Sequence, residues 1–144
     1  MLTRFALEVP RDAEAPARAR RAVRERFARE LTSSELDDAT LIISELVSNA
    51  LEHGEGAIRL RLAVDRRGMQ GEVVDDGAGF EAEAREQGVQ ELRGRGLWLV
   101  SILATTWGIH DGSSHVWFEL EFPKSDNRPT SPELGETERP ANLD

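Results

Sequence analysis

The sequence predicts an α+β fold, a two-layer sandwich in which a mostly antiparallel mixed sheet is covered on one face by helices. Apolar and polar residues alternate in segments 3–9 and 57–64, as they do in strands that bury one face, and residues 69–75 return as the next strand after a hairpin turn at 65–68. Apolar residues recur at helical spacing between residues 36 and 50, which predicts a long and deeply buried helix. The length of 144 residues fits one domain around a single core.

The elements follow the order β-α-α-β-β-loop-α-β-β. The first strand ends before Pro10, which has no N–H to donate to a sheet, and a helix follows over about residues 15–30. Hydroxyl side chains at residues 32–34 are N-cap candidates for the second helix. That helix is predicted to end near His53, because Gly54 is a typical residue just after a helix.

The second half of the domain begins with a predicted hairpin of strands 57–64 and 69–75, which a long loop over 77–93 follows. A third helix is predicted over 97–105, and a closing hairpin of strands 107–110 and 115–122 ends the domain. A polar loop as long as 77–93 is usually functional or mobile. Four of the six prolines fall in residues 123–144, which predicts a disordered tail after a domain that spans residues 1–122.

Charge and composition exclude several classes of protein. The net charge of −9 argues against direct nucleic-acid binding, which needs a basic surface. No run of 18 apolar residues is present, so no membrane span is expected, and the first residues lack the apolar core of a secretory signal. The absence of cysteine excludes disulfides and thiolate zinc sites. We therefore expect a cytoplasmic protein.

A carboxylate and an amide lie one turn apart on the second helix. Glu45 and Asn49 share a direction about opposite that of Leu36 and Ile43. Burying either polar group unpaired costs about 2–7 kcal/mol, so both are expected to face a cleft. Asn49 offers a neutral oxygen that suits magnesium held mainly by water and phosphate, and Glu45 is placed to deprotonate a nucleophile. His53 lies on the same side at the helix end. A solvated polar stripe is the alternative for this pattern taken alone.

An acid followed by glycines lies at the end of the third strand. Asp75 can accept a hydrogen bond from an exocyclic amine such as that of adenine, and Gly77 and Gly79 allow the backbone to approach a flat base. The alternative is an ordinary Asp/Gly turn.

Two glycines lie at the start of the third helix. Gly94 and Gly96 let a phosphate approach the free N–H groups of a helix N-terminus, and Arg95 either adds charge or points to water. The spacing is not that of a P-loop, because no Gly-Lys-Ser/Thr is present.

Together, these segments resemble the N, G1 and G2 boxes of the GHKL ATP-binding superfamily, in the order 44–50, 75–79 and 94–100. Within that superfamily, the compact size and the ending 107–120 resemble the anti-sigma-factor serine/threonine kinases of the RsbW/SpoIIAB type. The resemblance covers about residues 3–122.

The resemblance implies a Bergerat fold that binds ATP with Mg²⁺. It implies that Asn49 is the magnesium ligand, that Glu45 is the general base, and that Asp75 recognises adenine beside Gly77 and Gly79. The other nucleotide-binding residues that it implies are His53, Gly94, Arg95, Gly96 and Leu97, with residues 80–93 as a lid over the phosphates.

One residue departs from the pattern of this superfamily. Asp76 stands where relatives often have asparagine, and it is expected to add negative charge near the adenine base.

The function implied is that of a serine/threonine protein kinase and anti-sigma factor. Such proteins phosphorylate a STAS-type anti-sigma antagonist, and alternatively sequester a sigma factor. The second hypothesis is a nucleotide-dependent binding switch without turnover. Of the motif residues, only Glu45 favours catalysis, and the others serve nucleotide binding equally well. The detached ATP-binding domain of a sensor histidine kinase is the third, but no phosphoacceptor helix is predicted.

The first helix is rich in arginine. Residues 11–30 contain seven arginines and four acidic residues. Arg20, Arg21 and Arg24 are candidates for contact with an acidic partner. A solvated helix face with internal Glu–Arg pairs fits the same pattern. The resemblance implies that this region contributes to partner binding and to a homodimer.

Overall fold

The computed structural model describes residues 1–77, 97–110 and 115–123, and it confirms the α+β fold. Its elements are strand β1 (Thr3–Val9), helices α1 (Ala15–Phe27) and α2 (Ser33–His53), strands β2 (Ile58–Asp65) and β3 (Gly68–Val74), helix α3 (Trp98–Leu103), and strands β4 (Thr106–Ile109) and β5 (Val116–Glu121). No helix within the described ranges has the length and apolar character needed to cross a membrane.

The five described strands form one open sheet in the order β1-β2-β3-β5-β4. All four pairings between these strands are antiparallel, in agreement with the mostly antiparallel sheet that the sequence predicts. Strand β5 lies between β3 and β4, and both of these described neighbours are antiparallel to it.

The hydrophobic core lies between the helices and one face of the sheet. Leu62 of β2 and Phe118 of β5 are buried on that face, and Phe5 of β1 packs edge-on against Phe27 of α1 with ring centroids 5.8 Å apart. Helix α1 ends at Phe27, earlier than predicted, because the amides of Glu30 and Leu31 both turn back to the Phe27 carbonyl.

Helix α2 begins with a capping box. The Thr32 hydroxyl accepts the Glu35 N–H at 3.1 Å, and the Glu35 carboxylate accepts the Thr32 N–H at 2.9 Å. This exchange satisfies two amides that the first turn of a helix leaves unpaired, and it allows the Glu35 carboxylate to be buried. It confirms the N-cap region predicted from the sequence.

Gly71 leaves the space that an aromatic side chain of the core occupies. A Cβ at Gly71 would lie 2.5 Å from the Phe118 ring and 2.7 Å from the Leu62 side chain. On the opposite face of the sheet, a Cβ at Gly108 would lie 2.7 Å from the Trp117 ring. The Trp117 ring is only half-buried and can therefore move aside, whereas Phe118 cannot.

We expect Gly71→Ala to lower the free energy of unfolding by about 1–3 kcal/mol, because the added methyl group overpacks the core. Gly108→Ala is the matched control, and its loss should be smaller. Urea denaturation of the two variants measures both losses. Equal losses would show that the fixed position of Phe118 is not what makes Gly71 necessary.

Candidate functional site

The polar edge of α2 contains the first two predicted site residues. Asn49 is 6% exposed, and its Oδ1 atom has no hydrogen-bond partner among the described residues. Glu45 lies one turn earlier on the same edge and is half-buried. A buried amide oxygen without a partner is costly, so this atom is suited to accept a bond from something other than the described chain.

The environment of Glu45 changes its acidity. Burial raises the pKa of the Glu45 carboxyl above its usual 4.5, and the nearby charge of Glu52 raises it further. A carboxylate with a raised pKa is a better proton acceptor near neutral pH than an ordinary glutamate. This combination is typical of a general base.

The unpaired Asn49 oxygen also fits a magnesium ion. Magnesium prefers oxygen ligands and usually keeps several waters and phosphate oxygens in its shell, so one neutral protein ligand suffices. Asn49 Oδ1 is such an oxygen, and it is buried without a competing donor from the described residues. The structure therefore fits the metal role that the sequence predicts for this residue.

Asp75 follows β3 and is 7% exposed. Its Oδ1 atom accepts the Gly77 N–H at 2.6 Å and the Glu55 N–H at 3.3 Å. Glu55 belongs to the connection between α2 and β2, so the carboxylate ties two connections together. A Cβ at Gly54 would overlap the Asp75 carboxylate, which explains why glycine stands there.

The charge of Asp76, next to the predicted adenine site, is compensated by a cation. Its carboxylate accepts bonds from Arg59 Nη2 at 3.1 Å and from the Ala57 N–H at 3.2 Å. The Arg59 bond is the largest cause of a lowered Asp76 pKa, and the Ala57 bond and the Arg11 charge act in the same direction. The expected extra charge is thus offset by Arg59.

Two further predicted residues lie within the described ranges. Leu97 is buried in the core, and its carbonyl accepts the Ser101 N–H at 3.0 Å. His53 is the last residue of α2, and its Nε2 atom lies 3.7 Å from a Glu52 oxygen. The remaining predicted site residues lie outside the described residues: Gly79, Gly94, Arg95, Gly96 and the lid segment 80–93.

The candidate partner-binding arginines differ in their contacts. Arg20 donates to the Ser44 hydroxyl at 2.8 Å, and Arg24 pairs with Asp37 at 3.1 Å. Both side chains therefore tie α1 to α2. Arg21 is exposed.

The sequence interpretation missed the roles of Gly54 and Arg59 around Asp75 and Asp76. The sequence alone indicates only that Gly54 follows a helix and that Arg59 is a polar position in an alternating strand. The close succession of Gly54 and Gly56 after a predicted helix indicates an unusually tight connection, and Gly56 does adopt a positive φ of 72°.

We expect Arg59→Met to raise the pKa of the Asp76 carboxyl toward its usual 3.8, because the strongest donor to the charged form is lost. A carboxyl-detected NMR titration measures this shift. Arg61→Met is the matched control, since Arg61 pairs with Glu72 instead at 3.4 Å. An unchanged Asp76 pKa in Arg59→Met would contradict the assignment of its main partner.

Comparison with known proteins agrees with this geometry. A family model for the histidine kinase-like ATPase domain matches residues 9–120. No curated protein matches the chain. The matched residues span most of the chain and contain the α2 edge, the Asp75 region and the closing hairpin. The chain therefore belongs to the histidine kinase-like ATPase domain family, and so to the GHKL-type ATP-binding proteins.

Proposed function

We propose that this chain is an ATP-dependent serine/threonine protein kinase and an anti-sigma regulatory factor. In this proposal it phosphorylates a STAS-type anti-sigma antagonist and sequesters a sigma factor when the antagonist is absent. The observation that carries the proposal is the half-buried Glu45 carboxylate, whose raised pKa suits a base, one turn from the unpaired Asn49 oxygen.

Glu45 favours catalysis over nucleotide binding alone. Among the described residues, its carboxylate forms no hydrogen bond or ion pair that would give it a structural role. Burial without a partner raises the energy of the charged form, which is unfavourable for stability. A carboxylate held at such a cost, beside a candidate metal ligand, supports a chemical role in the site.

Each residue has a separate task in the proposed reaction. The Asp75 carboxylate accepts a hydrogen bond from the adenine amine and orients the nucleotide. Asn49 would hold magnesium, which supplies neutralisation of phosphate charge when it is bound. Glu45 accepts the proton of the antagonist's serine or threonine hydroxyl. That oxygen then bonds to the γ-phosphorus, and the bond to ADP breaks, so that ADP leaves.

The proposed partners are proteins. Phosphoryl transfer here depends mainly on positioning, so the antagonist has to present its hydroxyl beside the α2 edge. The exposed Arg21 on α1 supports an acidic partner surface better than Arg20 and Arg24, which are already engaged with α2. A homodimer and a cytoplasmic location remain part of the proposal.

We expect Glu45→Gln to lower transfer of the γ-phosphate to a cognate antagonist by about 10²–10⁴-fold, because the amide cannot accept the proton. ATP affinity should be unchanged, since Glu45 acts on the partner's hydroxyl. Radiolabelled transfer assays and calorimetric nucleotide binding measure the two quantities.

The matched control for this variant is Asp38→Asn, which neutralises an acid two turns earlier on the same side of α2. Labelling of the antagonist by Glu45→Gln at the wild-type rate would show that Glu45 is not the base. Nucleotide binding by the wild type without transfer to any antagonist would favour a binding switch.

When the pH is lowered, we expect the rate of phosphoryl transfer to fall with a midpoint above pH 4.5, which is the usual pKa of glutamate. Glu45 must be ionised to act as a base, and its pKa is raised. Glu52→Gln removes the negative charge that raises this pKa, so the fall should move to lower pH. A pH profile of single-turnover transfer tests both statements, and an identical profile in Glu52→Gln would argue against Glu45 as the titrating group.

A further inference from the structure

Arg11 connects three backbone carbonyls that are distant from it in sequence. Its Nε atom donates to the Gly56 carbonyl at 2.8 Å, and its Nη1 atom donates to the carbonyls of Ala50 at 2.9 Å and Leu51 at 2.8 Å. Ala50 and Leu51 belong to the last turn of α2, and the Ala50 carbonyl also accepts the Gly54 N–H at 2.9 Å. One guanidinium therefore ties the end of α2 to the connection that follows it.

The same connection holds the predicted adenine-recognition residue. Glu55 donates its N–H to Asp75 Oδ1, and its carbonyl accepts the Asp76 N–H at 2.7 Å. Glu55 is adjacent to Gly56, the residue that Arg11 holds. Through the 54–56 backbone, Arg11 is thus two hydrogen bonds away from the Asp75 carboxylate.

Electrostatics explains why the position suits arginine. A cation is favourable at the C-terminal end of a helix, where the carbonyls give partial negative charge. The Arg11 charge also contributes to the lowered pKa of Asp76. Its Nη2 atom is buried and has no hydrogen-bond partner among the described residues. The flat guanidinium reaches three carbonyls at once, which a single lysine ammonium cannot do in the same geometry.

We infer that Arg11 is a positioning residue for base recognition: it fixes the 54–56 connection and thereby sets the Asp75 carboxylate against the adenine amine. This inference rests on the proposed function, in which Asp75 recognises adenine. It gives Arg11 a role distinct from the arginines of α1, and it does not require Arg11 to touch the nucleotide.

The test compares binding of ATP with binding of inosine triphosphate, whose base lacks the exocyclic amine. The wild type should prefer ATP. Arg11→Ala should weaken ATP binding roughly tenfold, as expected when one charge-assisted hydrogen bond is misaligned, and should move the ratio of the two affinities toward one. Arg18→Ala is the matched control, because among the described residues the Arg18 side chain makes only an exposed ion pair with Asp12 at 3.7 Å. It should keep both affinities and their ratio.

A general loss of structure would weaken both nucleotides equally, so the ratio separates positioning from folding. Thermal unfolding of each variant accompanies the binding measurements. Arg11→Lys keeps the charge with fewer aligned donors and should give an intermediate ratio; it decides the question if Arg11→Ala does not fold.

Hydrogen exchange supplies a readout without nucleotide. The Glu55 and Gly77 amides should exchange faster in Arg11→Ala than in Arg18→Ala, because both donate to Asp75. If folded Arg11→Ala keeps the wild-type ratio of the ATP and inosine triphosphate affinities and the wild-type exchange rates of these amides, the inference about Arg11 is wrong. That result would leave the assignment of Asp75 to adenine intact. Equal binding of both nucleotides by the wild type would overturn the adenine assignment itself, and the inference with it.

Discussion

The buried carboxyl group of Asp75 is the constraint on which the rest of the candidate site depends. A group of this kind, withdrawn from water, needs hydrogen-bond donors, and two of them are backbone amides of Glu55 and Gly77. These amides lie in different connections, so the end of β3 and the connection after α2 have to lie against each other. Gly54 makes this approach possible, because any side chain there would occupy the space of the carboxylate.

Helix α2 serves the core and the site with different sides of one element. Its apolar side belongs to the hydrophobic core, where residues such as Ile43 and Val47 are fully buried. That packing fixes the rotation of the helix about its axis, and the rotation places Glu45 and Asn49 at the edge of the buried region. The stability of the core therefore orients the two polar groups, and no separate structure is needed to hold them. The capping box at Thr32 fixes where the helix begins and strengthens the same arrangement.

Much of the fold follows from local patterns in the sequence. Alternation in β1 and β2 and the helical spacing in α2 predicted those elements closely, because each depends on residues near in the chain. The position of Glu45 and Asn49 on the same edge of α2 follows from the same spacing. The contact of Gly54 with Asp75 could not be predicted this way, since 21 positions separate them and only the tertiary fold brings them together.

Arg11 shows the same limit for charged residues. The composition grouped it with the arginines of α1 as one basic segment, yet its side chain turns inward to the end of α2. Similarly, the antiparallel pairing of β3 with β5 uses the edge of β3 that remains open after β2 has paired with its other edge. Local alternation carries no information about that choice.

The position of β5 between β3 and β4 has a consequence for how this family can diversify. The register of β3 is set by β2 on one side and β5 on the other, and neither contact involves the chain between Val74 and Trp98. Insertions or deletions between Gly77 and Leu97 therefore leave these pairings in register, and the entropic cost of closing a chain segment rises only slowly with its length. Evolution can alter the number of residues between Gly77 and Leu97 while the sheet and the Asp75 contacts stay the same.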